Sequence, residues 1–193
     1  MTIDDDSRAA ELLGRAVTYL HRAGLAGFSL ANLGEQLGVS SRMLIYHLGQ
    51  KDEILAHVLD VMRREITSEL RRRKYTHLSE AVQATWDHYV SRVADMEVFF
   101  HLVSRSFENP ESFTEFTATA VSAWTELFQE AALHEGYSTA RADAMAHVAL
   151  AGFRGLILDL AITGDLKRTS AAMTEFTTML DNFSPSRTQP VGR

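Results

Sequence analysis

The stretch LGVSSRMLIYHLGQKDEIL, from Leu37 to Leu55, decides how the chain reads. Gly38 and Gly49 bracket a segment with room for little more than two helical turns. Ser40 or Ser41 can cap its start, because a hydroxyl oxygen accepts an orphan N–H of the first turn. Leu44 and Leu48, four apart, give it one buried side. The other positions carry Arg42, Met43, Tyr46 and His47, side chains suited to bonding or touching another molecule. Beyond Gly49, Lys51-Asp52 open a new apolar pattern at Ile54-Leu55.

Upstream, Ser29 is a good N-cap for a second short helix, whose apolar face is Leu30, Leu33 and Leu37 and which Gly38 ends. Before it, Leu12, Leu13, Ala16, Val17 and Leu20 follow helical spacing from Arg8 to Ala23. Gly24 stops that helix, and Gly27-Phe28 form the connection. Two short helices joined by a tight glycine turn are the sequence form of a helix-turn-helix. In that unit the second helix lies in the major groove, and residues near its N-terminus reach base edges. Ser40, Ser41 and Arg42 then supply polar donors at the right end, and Arg42 can bond guanine O6 and N7 together. Met43 can meet a thymine methyl, and Tyr46 and His47 can touch bases or phosphates. Lys51, in the first turn of the next helix, can hold a phosphate together with backbone N–H groups.

Downstream, a fourth helix starts near Gln50 with Ile54, Leu55, Val58, Met62, Ile66 and Leu70 at three- and four-residue intervals. It ends in Arg71-Arg72-Arg73-Lys74, where cations complement the helix dipole. Five further helical segments follow at 78–94, 96–107, 111–135, 138–163 and 167–183. They are separated by breaks at Asp95, Asn109-Pro110, Gly136 and Gly164-Asp165. No strand alternation is present. The expectation is an all-α chain of about nine helices. It divides into a head at 7–52 that carries the helix-turn-helix, a helical part at 53–184, and a polar tail at 185–193 that reads as disordered.

Composition narrows the function. The chain has 193 residues, no Cys and a net charge of −6. Without Cys there is no disulfide framework or thiolate chemistry, which fits a cytoplasmic protein. The start, MTIDDDSRAAELL, is acidic where a secretory signal would be basic. The longest apolar tract, Ala149 to Ile162, contains Arg154 and Asp159 and falls short of the about 20 residues of a membrane span. The negative charge is unevenly spread. Residues 1–75 hold 11 Lys+Arg against 10 Asp+Glu, whereas residues 76–193 hold 8 against 15. The N-terminal part can therefore approach DNA although the whole chain is acidic. No P-loop, dinucleotide fingerprint, H-E-x-x-H or G-x-S-x-G motif is present, so neither an enzyme nor a cofactor is expected. No two His lie four apart and no Cys is available, so no metal site is expected.

Residues Leu12 to Leu55 resemble the DNA-binding domain of the TetR (tetracycline repressor-like) family. The pieces that carry the likeness are the first helix ending Ala23-Gly24, Phe28-Ser29-Leu30, Leu37-Gly38-Val39-Ser40, Tyr46-His47, and Lys51-Asp52 before Ile54-Leu55. The resemblance implies that Ser40, Ser41, Arg42 and Met43 contact bases or their backbone, and that Ser29 and Lys51 hold phosphates. One position departs from the pattern. Ile45 stands where the family commonly has a phosphate-binding Tyr, with Tyr46 one step on. Leu48 stands where Phe is usual.

The resemblance further implies that 7–52 is a DNA-binding domain and 53–184 a ligand-binding and dimerisation domain, in a homodimer that binds a pseudo-palindromic double-stranded DNA operator and responds to a small-molecule effector, with repression the default. The residues speak to dimerisation independently. Leu166, Met173, Phe176, Leu180 and Phe183 fall on a narrow seam. The preceding helix is apolar on more than one face and carries Ala146, Ala149, Gly152 and Gly155. Ala149, Gly152, Gly155, Met173, Phe176, Leu180 and Phe183 are therefore the interface candidates. The aromatic-rich middle supplies ligand candidates: Met62, Trp86, Tyr89, Phe99, Phe100, His101, Phe107, Trp124, Phe128, His147 and Phe153. Arg154 is a further polar handle. A ligand that fits only one core arrangement would tilt the fourth helix and oppose DNA binding by reciprocal linkage. The rival reading is an all-α ligand-binding or scaffold protein that has lost sequence-specific DNA binding. Ile45 and the acidic total are the features that favour it.

Overall fold

The computed structural model describes residues 3–185. Most of the tail expected to be disordered, from residue 186 on, lies outside them. The fold is all-α. In chain order the helices are α1 (Ile3–Gly27), α2 (Leu30–Leu37), α3 (Ser41–Leu48), α4 (Lys51–Arg72), α5 (Leu78–Val90) and α6 (Val93–Glu108). A 3₁₀ turn at Pro110–Phe113 leads into α7 (Thr114–His134), α8 (Thr139–Thr163) and α9 (Leu166–Asn182). Three boundaries differ from expectation. The first helix, expected to stop at Gly24, kinks there, where φ is 63° and ψ −179°, and resumes for one short turn to Gly27. The break placed at Asp95 falls instead at Ser91-Arg92, and Asp95 is buried in the first turn of α6. A carboxylate favours a helix N-terminus, so Asp95 starts this helix rather than separating two. The segment expected as one helix over 111–135 begins with the 3₁₀ turn, and α7 starts only at Thr114, whose hydroxyl donates to the Glu111 carbonyl of that turn at 3.1 Å.

The chain forms two compact units. The first runs to Glu65 and also takes in Glu97–Phe116; the second comprises Ile66–Met96 and the chain from Thr117 onward. The unit that holds α1, α2 and α3 thus reaches well beyond residues 7–52.

In the first unit, Leu12, Ala16 and Leu20 of α1 meet Leu33 and Leu37 of α2, Leu44 and Leu48 of α3, and Ile54, Leu55 and Val58 of α4. Val98 and Leu102 of α6 and Phe113 complete this core. Each fully buried leucine contributes about 1.5–3 kcal/mol of transfer free energy, so the short α2 and α3 are held by packing rather than by propensity. Polar contacts fix their ends. Gly38, with φ +71°, closes α2 as its N–H bonds the Glu35 carbonyl while Val39 N–H bonds the Gly34 carbonyl at 2.9 Å. Arg15 of α1 donates to the free Leu37 carbonyl at 2.9 Å. Tyr19 donates its hydroxyl to the Gly27 carbonyl at 2.8 Å, securing the connection into α2.

In the second unit, α5, α8 and α9 pack on one another. The core includes Trp86 and Tyr89, Trp124 and Phe128, Leu150, Phe153 and Ile157, and Met173. Arg71, at the end of α4, pairs with Glu126 and Glu130 of α7 at 3.0 and 3.3 Å. Arg168 grips both carboxylate oxygens of Asp159 at 2.7 and 2.8 Å, which pins the α8–α9 turn.

Candidate nucleic-acid interface

The geometry of α3 follows from its two leucines. Leu44 and Leu48 are buried, so the opposite side of the helix faces outward. Arg42, Met43, Ile45 and Tyr46 are all exposed there, and Tyr46 reaches 71%. The Tyr46 ring stands edge-on to His47, with centroids 4.9 Å apart. Ile45 and Tyr46 therefore share the exposed side of α3, about 100° apart around the axis.

Both proposed phosphate-side serines are caps. Ser29 Oγ accepts the Asn32 N–H at 3.1 Å, and Ser40 Oγ accepts the Met43 N–H at 3.2 Å. Capping occupies an acceptor site of each hydroxyl and leaves its O–H as a donor for an anion. The same segments direct backbone N–H groups outward at the helix starts. Gln50 N–H is satisfied by Glu53 Oε2 at 2.6 Å, which stabilises the start of α4 around Lys51. Ser41 and Lys51 are half-buried, with Arg42 and Ser40 exposed. The arrangement can offer one guanidinium, one ammonium and several neutral donors to a polyanion, on a surface that also carries exposed Met43 and Tyr46.

One ionic cluster of this unit had no signal in the sequence. Asp52, beside Lys51, accepts a hydrogen bond from Arg105 Nε of α6 at 2.9 Å. His101 Nε2 of α6 lies 3.4 Å from its other oxygen. Burial raises the Asp52 carboxyl, but the hydrogen bonds and charges of Arg105 and His101 outweigh that and hold it below the usual carboxylate range. Arg105 also pairs with Glu108.

The ligand candidates fall in both units. Met62 is in the core of the first, whereas the rings of Phe99 and Phe100 are half-buried, 5.4 Å apart, with Phe99 also 5.9 Å from Phe116. His101 is engaged with Asp52, and Phe107 is 81% exposed. In the second unit Tyr89 lies 5.8 Å from both Trp124 and Phe153, with Trp86 and Phe128 buried. Burial lowers the Arg154 guanidinium to about 10, against a smaller opposing effect of Tyr89, and Arg154 donates to the Ala120 carbonyl. His147 is exposed, its Nδ1 3.0 Å from the Asp143 carbonyl.

The interface candidates divide by burial. Ala149, Met173 and Leu180 are buried inside the second unit, where they pack α8 and α9. Gly152 lies against the Phe176 ring of α9, where an added Cβ would come within 2.3 Å of it. Gly155 and Phe183 are exposed. The outward stripe runs instead through Ala144, Val148, Ala151, Gly155, Leu158 and Ile162 of α8, at alternating intervals of four and three. Next to it, Met145, Val148, Phe176, Met179 and Phe183 line a groove of about 320 Å³ between α8 and α9.

No protein-family model and no curated protein matches the chain. Solved structures do. BioQ of Mycobacterium smegmatis is 22% identical, aligns over 92% of this chain and 98% of its own, and has a TM-score of 0.57. BioQ with its natural double-stranded DNA operator gives 21% identity, 89% and 98% coverage and a TM-score of 0.55. A protein described as a fatty acid metabolism regulator, from Clostridium perfringens, gives 15%, 89% and 97%, and 0.51. At these identities the likeness establishes a shared fold.

Proposed function

We propose that the chain is a TetR-like, homodimeric, one-component transcriptional regulator of the cytoplasm. It reads a pseudo-palindromic operator with α3 and acts by default as a repressor that a small-molecule ligand releases. The observation that carries this reading is the outward side of α3, where Arg42, Met43 and Tyr46 stand free of the core that Leu44 and Leu48 join. A helix of this size fits one major groove, with its N-terminal residues at the base edges. Arg42 and Met43 specify bases; Ser29, Ser40, Ser41 and Lys51 hold the backbone; Tyr46 and His47 reach further along the groove. The fold shared with BioQ, which is seen on its own operator, supports the same reading.

Dimerisation is supported by the second apolar side of α8. That helix is long and apolar enough to cross a membrane by composition, yet its own unit buries only a third of its most apolar window. Exposed Val148, Leu158 and Ile162 on a four-three repeat fit a second copy of the same helix. Two heads so joined would meet half-sites about 34–36 Å apart. For the effector, the candidate region is the packed rings of Tyr89, Trp124 and Phe153 with half-buried Arg154, an apolar cluster that carries a cationic group.

Selection of binding sites from random duplex DNA with the full-length protein tests the reading. An inverted repeat should be enriched. Absence of any enriched sequence at low salt, from protein shown to be folded, would favour a ligand-binding or scaffold protein instead.

A further inference from the structure

Lys51 and Asp52 are neighbours with opposite charges in the first turn of α4. A free carboxylate at that place would repel the phosphate that Lys51 is there to hold. The structure puts two α6 side chains, four residues apart, on that carboxylate. Arg105 Nε bonds Oδ2 at 2.9 Å and His101 Nε2 reaches Oδ1 at 3.4 Å. A carboxylate only accepts, so the His101 tautomer that serves this contact carries its proton on Nε2. Between these residues, Leu102 is fully buried in the same core as Ile54, Leu55 and Val58 of α4, and Val98 joins it one turn earlier. The apolar contact seats α6 against α4, and the polar contact is made at its margin.

We propose that Arg105 and His101 are positioning residues for the DNA-binding head: together they latch Asp52 and hold the first turn of α4 where Lys51 meets a phosphate. The proposal rests on the phosphate role given to Lys51 above. It assigns a DNA-binding task to a segment of α6 that lies more than fifty residues along the chain from the helix-turn-helix. The plain alternative is a half-exposed ion pair of little consequence. The two make opposite predictions for Asp52→Asn. Removing a negative charge beside DNA should strengthen binding if charge is all that matters. Loss of the latch should weaken it.

The test has two arms on the full-length protein. Amide hydrogen exchange of the free protein is followed at Ile54 and Leu55, the first amides inside α4; Ile54 N–H bonds the Gln50 carbonyl at 2.9 Å. Operator affinity is measured on the duplex selected by wild-type protein. Arg105→Gln and Asp52→Asn should each speed exchange at these amides and weaken operator binding by roughly threefold to tenfold. Arg105→Lys, which keeps the cation and leaves the charge beside DNA unchanged, should recover part of both readouts relative to Arg105→Gln, which separates a lost latch from a damaged fold. Unchanged exchange in the single variants overturns the latch. So does Asp52→Asn protein that binds the operator as tightly as wild type. If wild-type protein selects no duplex, the regulatory reading fails by itself, and the exchange arm still decides whether the latch exists.

Discussion

The Cβ that Gly34 lacks would stand 2.7 Å from the Val39 carbonyl oxygen, while Val39 N–H bonds the Gly34 carbonyl at 2.9 Å. The turn between α2 and α3 therefore closes directly onto the backbone of α2, and only a hydrogen fits between. Gly34→Ala sets two effects against each other. Alanine gains about 1 kcal/mol of helix propensity, whereas a clash with backbone cannot be relieved by a side-chain rotation and costs typically about 1–3 kcal/mol. The clash should win. Chemical denaturation should show net destabilisation of the first unit, and a variant more stable than wild type would show that this turn is not tightly closed.

Lys51→Ala should weaken binding to all duplex sequences alike, because a phosphate contact carries no base information. The slope of log affinity against log salt should fall by about one. A loss restricted to the selected operator would place Lys51 on a base instead.

Tyr46 is the exposed aromatic that stands one position beyond Ile45. Tyr46→Phe keeps the ring and removes its only hydrogen-bonding group. It should reduce operator affinity by roughly tenfold to a hundredfold, the about 1.5–3 kcal/mol of a hydrogen bond to a charged group. Affinity equal to wild type would show that the hydroxyl does not take the phosphate contact missing at Ile45.

If the chain dimerises as proposed, Leu158→Glu, on the outward side of α8, should leave it monomeric in sedimentation experiments with little change in helicity. Met173→Ala, in the interior of the second unit, should do the reverse: a cost of about 2–5 kcal/mol in stability with the dimer retained in the folded fraction. If Leu158→Glu protein remains dimeric, the interface lies elsewhere.

The helix-turn-helix was legible because its signals are local. Ser29 and Ser40 cap, Gly38 ends α2 in a left-handed conformation, and Leu44 and Leu48 mark one side of α3. The packing of α8 and α9 was less so. The spacing of Met173 and Leu180 announces a buried stripe but does not say what buries it, and the answer is the second unit itself. Helix α8 is apolar on more than one face, so only its placement against α5 and α9 separates the inner Ala149 and Phe153 from the outer Val148 and Leu158. Asp95 read as a break because acidic residues are common in loops, and equally common in a first helical turn. The Asp52–Arg105 pair joins residues 53 apart, and no periodicity connects positions at that range.

The most direct measurement is parallel selection of random duplex DNA by wild-type protein and by Arg42→Ala protein. An inverted repeat is expected for wild type. The variant should select the same spacing with base preference relaxed at one symmetry-related position in each half-site, as expected when a bidentate guanidinium contact worth about 1–3 kcal/mol of discrimination is removed. Two selections that converge on the same sequence with the same preference at every position would contradict base reading by Arg42.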